Sequence, residues 1–218
     1  MKNKIIGFAV SFLLIISCAV FLCACSDGSE VEEPSDTQDG IVFKQVGEEY
    51  AVKAYEGKST SVVIPAEFNG KSVTSIMDSA FKDKSELTSV TIPETVVSIG
   101  AHAFSGCVRL SSIKLPGGLK SIGQSAFYKC SALTSVTLPS GITKIERSTF
   151  ENCPILKTVT IPTSVASIES YAFYKCSALE SINYEGGTEE WQAINKSTTW
   201  NYSTSKYTVN CSDGVLKK

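Results

Sequence analysis

Cys107, Cys130, Cys153 and Cys176 recur at a constant step, and with Cys211 they form five cysteines downstream of an N-terminal group that includes Cys25. Thiols so spaced suggest three chemistries: disulfides, a metal site or redox exchange. Neighbouring rungs about 5 Å apart would fall within disulfide reach, and an exported chain could form such bonds. The hydrophobic pattern nevertheless turns each rung inward, where a free thiol packs as a small apolar group, so buried thiols are the favoured reading. Zinc needs ligands that converge, whereas these stand in a row, and no CxxC pair supports redox exchange. The one histidine, His102, occupies a variable polar position and reads as a surface residue. Nothing assembles around it as nucleophile, base and orienting acid. There is no glycine-rich phosphate loop, and no pair of acids is spaced for general acid and base work. The expectation is a protein that is not an enzyme and carries no cofactor or metal.

A second set of residues could bind rather than react. Ser89, Ser112, Ser135, Thr158 and Ser181 form one row, beside Thr91, Lys114, Thr137, Thr160 and Asn183. Parallel rows of small polar groups can hydrogen-bond a partner over an extended area. Equally, serine and threonine suit a wet strand face, and the sequence does not separate the two readings. Arg109, Lys114, Lys120, Lys129 and Lys144 fall in a stretch, Thr95 to Ile145, that lacks acids; this weak positive zone would steer an acidic partner, although a solvated surface is the plainer account. Tyr128 and Tyr174 each follow a phenylalanine and offer exposed aromatic contacts.

These residues are positioned by a repeat of 23 residues. Ile76, Ile99, Ile122, Ile145 and Ile168 keep that step, as do Phe81, Phe104, Phe127, Phe150 and Phe173. Leu87, Leu110, Leu133, Leu156 and Leu179 follow it too, with Pro93, Pro116, Pro139 and Pro162. In Leu87 to Pro93, Val90 and Ile92 alternate with Ser89 and Thr91, the pattern of a strand buried on one face, and proline ends it. Between Ser79 and Leu87 the apolar spacing predicts one or two short helical turns, with Asp78 or Ser79 as cap. One unit cannot bury its own apolar side. Stacked units can, with parallel strands about 4.8 Å apart and each Phe on the next.

The motifs SIGAHAFSGCVRLSSIKLP, SIGQSAFYKCSALTSVTLP and KIERSTFENCPILKTVTIP resemble the BspA-like leucine-rich repeats of bacterial surface proteins, over about residues 41 to 188. The fold that the resemblance implies is a leucine-rich repeat solenoid, mainly β, with one parallel strand per repeat and short helical turns. It implies adhesion or protein interaction at the cell surface; capture of a glycan and a structural role in the envelope are the alternatives. Three positions depart from the pattern: Lys84 for Cys, Thr149 for Ala, and Ile182-Asn183-Tyr184-Glu185 without the proline. The five repeats span 73–188. Before them, 41–72 reads as an N-terminal β cap, with a hairpin about Gly47-Glu48-Glu49 and a turn at Phe68-Asn69-Gly70. After them, 189–218 brings Trp191, Trp200, Tyr202 and Tyr207, which read as a C-terminal cap, with an aromatic ligand site as the alternative.

The chain start gives an address. Lys2 and Lys4 precede an uncharged apolar run, Ile5 to Ala24, which reads as a signal in 1–24. Leu22-Cys23-Ala24-Cys25 resembles a bacterial lipobox, so Cys25 is the expected lipidation site and the membrane is reached through its lipid anchor. A transmembrane helix is the alternative, and Cys18 is a poorer lipidation candidate. The segment 25–40 opens on Cys25 and continues with six acids and no base, the composition of a disordered tether. The whole chain carries 20 basic and 22 acidic side chains, a net charge of −2. That balance gives no general attraction to nucleic acid.

Overall fold

The computed structural model describes residues 37–218. The signal segment, Cys25 and residues 26–36 of the expected tether lie outside the described residues. Thr37–Gln38, inside the segment read as a tether, pairs antiparallel with Val42 and Ile41.

From there the chain winds into a solenoid. Most coils contain the expected strand, as in Ser89–Thr91, with Val90 and Ile92 buried. Proline, which has no N–H for the ladder, follows it. A second strand of two residues then forms, as in Ser98–Ile99, where one strand per repeat was expected. Serine-isoleucine is too short to announce a strand by alternation; it exists because the same dipeptide lies beside it in the next coil, Ser98 on Ser121 and Ile99 on Ile122.

The third side of each coil is not helical. Its turns close by bonds from residue i to i−3, such as Lys82 N–H to Ser79 and Lys84 N–H to Phe81. Left-handed residues at Ser79 (φ 60) and Asp83 (φ 58) break any helix. Asp78 does not cap its own turn; its carboxylate accepts from the Ala101 N–H of the next coil, 2.7 Å away. The N–H groups of Ser79, Phe81 and Asp83 donate onward to the carbonyls of Ala101, Ala103 and Ser105, at 2.9, 2.7 and 2.7 Å. This pattern recurs down the stack.

Inside, like sits on like. The rings of Phe81, Phe104, Phe127, Phe150 and Phe173 stack with centroids 5.1 to 5.5 Å apart, and all five are fully buried. Tyr55 extends this pile upstream at 5.5 Å. Trp200 closes it downstream, edge-on to Phe173 at 5.9 Å. Thr149, in the alanine position, satisfies its buried hydroxyl by donating to the Glu146 carbonyl at 2.7 Å. Upstream, Ile41–Val46 and Glu49–Tyr55 form a hairpin, and the turn at Asn69 and Gly70, both left-handed, joins Glu67–Phe68 to Lys71–Ile76. Downstream, a short helix, Thr188–Ala193, precedes Thr208–Cys211, which continues the front ladder beside Ser181–Tyr184 and folds back on Gly214–Lys217.

Both strand ladders break at one level. The front ladder pairs Ser61–Val63 with Ser89–Thr91 and touches Lys114 through a single bridge from Thr91. It resumes as a separate sheet at Ser135–Thr137. The second ladder ends at Ser121–Ile122 and resumes at Lys144–Ile145. Across this seam the turn side continues unbroken, with Ser125, Phe127 and Lys129 N–H groups donating to Arg147, Thr149 and Glu151, each at 2.9 Å.

Candidate functional site

The two polar rows lie together on the front ladder, as their alternation with buried Val90, Val136, Val159 and Ile182 requires. Ser135, Thr158 and Ser181 pair in register, as do Thr137, Thr160 and Asn183. The structure lengthens both rows: Ser61 precedes Ser89, and Thr208 and Asn210 follow Ser181 and Asn183. Those additions were hidden from sequence reasoning because the chain between Ser181 and Thr208 is longer than one repeat, which takes Thr208 off the common step.

Toward the two ends the rows bond to themselves. Ser89 Oγ donates to Ser61 Oγ at 2.8 Å, Ser181 Oγ to Thr158 Oγ1 at 3.3 Å, and Asn210 Nδ2 to Asn183 Oδ1 at 2.8 Å. The middle differs. Ser112, Lys114, Ser135 and Thr137 are exposed, and between them, where the ladder is broken, lies an open hollow of about 560 Å³. Its floor is apolar, from Ile113, Leu115 and Val136, and Glu94, Gly117 and Pro139 complete the rim. Glu94 holds one wall: Oε2 accepts from Gly117 N–H at 2.9 Å and Oε1 lies 3.7 Å from Lys114 Nζ. Both side chains are largely exposed, so this pair fixes geometry more than it adds stability.

Stacking pairs three of the five bases of the basic run with acids. Arg109 pairs with Glu86 of the preceding coil, Lys114 with Glu94, and Lys144 with Glu146 and Glu169 at 3.3 and 3.4 Å. Hydrogen bonding to Glu146, and then to Glu169, raises the Lys144 pKa. Three of the five bases in a run without acids are thus paired once the chain is folded, while Lys120 and Lys129 form no ion pair among the described residues.

All four ladder cysteines are free and fully buried. Each thiol donates to a phenylalanine carbonyl of the coil before it: Cys107 to Phe81, Cys130 to Phe104, Cys153 to Phe127 and Cys176 to Phe150, at 3.1 to 3.3 Å. Burial pushes the Cys107 and Cys176 thiols up to about 12, so they are protonated near neutral pH. Cys211 is only partly buried. His102 is half-buried with a left-handed backbone, φ 57, and its N–H donates to Gln124.

Tyr128 and Tyr174 lie on the turn side rather than on the front sheet. Glu151 occupies the equivalent position in the coil between them. Tyr174 instead meets Tyr171 at 5.5 Å and Tyr202 at 6.0 Å, the latter nearly parallel. That cluster was not foreseen, because Tyr202 follows Tyr174 by more than one repeat length. Its signal is the neighbouring Trp200, whose carbonyl accepts from Phe173 N–H as the next coil's alanine does elsewhere.

A parallel solenoid with a fixed step, a phenylalanine pile and an inward cysteine defines a leucine-rich repeat scaffold, a type that typically binds partners rather than catalysing reactions. Residues 55–204 match the BspA type leucine rich repeat region in six copies, and the chain belongs to that family. It is similar to a leucine-rich repeat protein of T. pallidum, 32% identical over 68% of this chain and 71% of that one, with a TM-score of 0.65. It is also similar to a leucine-rich cell surface protein of Faecalibacterium prausnitzii, 34% identical over 72% of this chain, TM-score 0.67, spanning 41% of that protein. The pneumococcal vaccine antigen PcpA, 20% identical over 82% of this chain and 47% of its own, TM-score 0.63, shares the fold. No curated protein matches it. Among the described residues no helix is long and apolar enough to cross a membrane.

Proposed function

We propose that this protein is a non-catalytic binding protein of the cell surface, anchored through lipid on Cys25, which engages a protein partner with the front ladder. The observation that carries the reading is the exposed centre of that face. Ser112, Lys114, Ser135 and Thr137 surround an open hollow with an apolar floor, whereas several polar groups of the rows on either side are bonded to each other. A partner can bury the floor and bond the rim, the usual division between an interface core and its polar edge. Of the ten row residues, Thr158, Thr160, Ser181 and Asn183 then extend the contact, and Ser89 and Thr91 end it. The cell-surface relative and the lipobox-like Cys25 support the location.

The test is site-specific photocrosslinking on intact cells, with the probe at Thr137 or, as control, at exposed Lys82 on the turn side. The expected result is one protein captured from Thr137 and not from Lys82, and lost when Ser135 is changed to Arg. Equal capture from both positions would sink the assignment. For the anchor, intact mass of the membrane fraction is expected to show an acylated N-terminus at Cys25; a retained Met1 would remove it.

A further inference from the structure

We propose that the turn side of the last coils is a second binding site, independent of the front face, for an acidic sugar: a pyranose that carries a carboxylate. Three observations converge there. The first is an aromatic group with no counterpart on this side among the described residues. Tyr171, Tyr174 and Tyr202 form a continuous cluster, and Tyr202 is 64% exposed. The second is the backbone of Tyr171. Its position is left-handed in every coil, occupied by Ser79, His102, Ser125 and Ser148 before it, and Tyr171 holds φ 62. A bulky side chain is disfavoured in that conformation, and here the ring packs against Tyr174 and beneath Arg147.

The third observation is charge. Arg147 lies over the Tyr171 ring at 5.7 Å and Lys175 over the Tyr174 ring at 5.1 Å. Lys129 lies over Tyr128 at 5.2 Å. Among the described residues none of these three cations forms an ion pair, whereas Arg109, Lys114 and Lys144 all do. Glu151 is the carboxylate of these turns that forms no ion pair, its Oε1 accepting from Asn152 Nδ2 at 3.3 Å, while Glu146 and Glu169 at their edge are both held by Lys144. With Lys144 included, four cations against three acids leave a small positive surplus. Lys129 and Lys175 also line an open groove of about 440 Å³ with Asn152, Pro154, Ser131 and Ser177.

Each part fits one feature of the ligand. Aromatic rings accept the apolar C–H face of a pyranose while leaving its hydroxyls wet. Hydroxyl and amide groups of the groove bond those hydroxyls. Unpaired Arg and Lys take the carboxylate by charge-assisted bonds. A neutral sugar would leave the cations unused, and an acidic peptide would leave the exposed ring unused.

The experiment titrates the full-length chain in detergent micelles, by calorimetry, with two probe pairs: tetragalacturonate against its methyl ester, and 3′-sialyllactose against lactose. In at least one pair the acid is expected to bind about tenfold tighter than its neutral partner. Tyr202→Ala and Lys175→Gln are each expected to weaken that binding about fivefold, with an unchanged melting temperature, while Ser135→Arg on the front face leaves it intact. Absence of an acid preference in both pairs overturns the proposal. So does poly-glutamate binding as tightly as the sugar, or loss of binding through Ser135→Arg but not through Tyr202→Ala. Because the front face is scored separately, failure here leaves the protein-binding reading standing.

Discussion

Cys153 Sγ donates to the carbonyl oxygen of Phe127, 3.3 Å away and 26 residues earlier in the chain. That oxygen already accepts from the Cys130 N–H at 3.2 Å, so the thiol occupies its second lone pair. Each cysteine therefore links its own coil to the one before it. Cys153→Ala is expected to cost about 1 to 2 kcal/mol, from a lost weak bond and a small cavity, read by urea unfolding. In the native protein a thiol reagent at pH 8 should modify Cys211 well before the four ladder cysteines; peptide mapping that finds Cys130 or Cys153 labelled as fast would contradict their burial.

Alkaline pH should loosen the stack. Burial raises Cys107 and Cys176 from 9.0 to about 12, and the Tyr207 hydroxyl is raised by the same cause. Above pH 9 the unfolded chain releases these protons while the native one keeps them, so the unfolded state binds fewer protons and gains in relative stability. The thiol contribution is present in full below pH 9 and disappears as pH climbs toward 12. Melting temperature followed from pH 8 to 11 is expected to fall, and to fall less in Cys107→Ala than in the parent.

Phe127 lies at the middle of the ring pile, 5.5 Å from both Phe104 and Phe150. Phe127→Ala is expected to lose about 3 to 5 kcal/mol, as removal of a fully buried aromatic does. Trp200→Ala, at the lid, should loosen the last coil first, because only one side of the pile depends on it. Limited proteolysis distinguishes the two: cleavage confined to the C-terminal coils in the second variant, distributed along the solenoid in the first.

The seam should be visible in amide exchange. Ile113–Leu115 belongs to no paired strand apart from the bridge at Lys114, whereas Thr158–Ile161 is paired on both sides. Deuterium uptake is expected to be faster in the first segment than in the second, since few shared hydrogen bonds oppose its opening. Equal protection would show that the two sheets act as one.

Much of this architecture was legible because the constant step is written in large apolar side chains. Phe, Ile, Leu and Cys at one spacing have one economical solution, and the rings do meet. The ends were harder to read. The stretch from Tyr55 to Phe81 and the stretch from Phe173 to Trp200 are both longer than one repeat, so both lids lie off the step that revealed the rest. The second strand of each coil was invisible for a different reason: two residues carry no alternation, and only their neighbours make them a sheet. Charge misled most, because Glu86 and Arg109 are far apart in a linear reading and adjacent after one coil. The aromatic cluster escaped for the same reason as the lids, since Tyr202 belongs to the final, irregular coil.

Tyr55 touches Phe81 and Trp200 touches Phe173, and neither lid reaches the coils beyond. The number of rungs between them is therefore a free variable of evolution. In-frame duplication of one interior unit would insert a further copy without disturbing either end, and in-register loss of a unit would remove one as easily. A lineage carrying this gene can widen or narrow its contact surface by copy number, without altering a single existing residue.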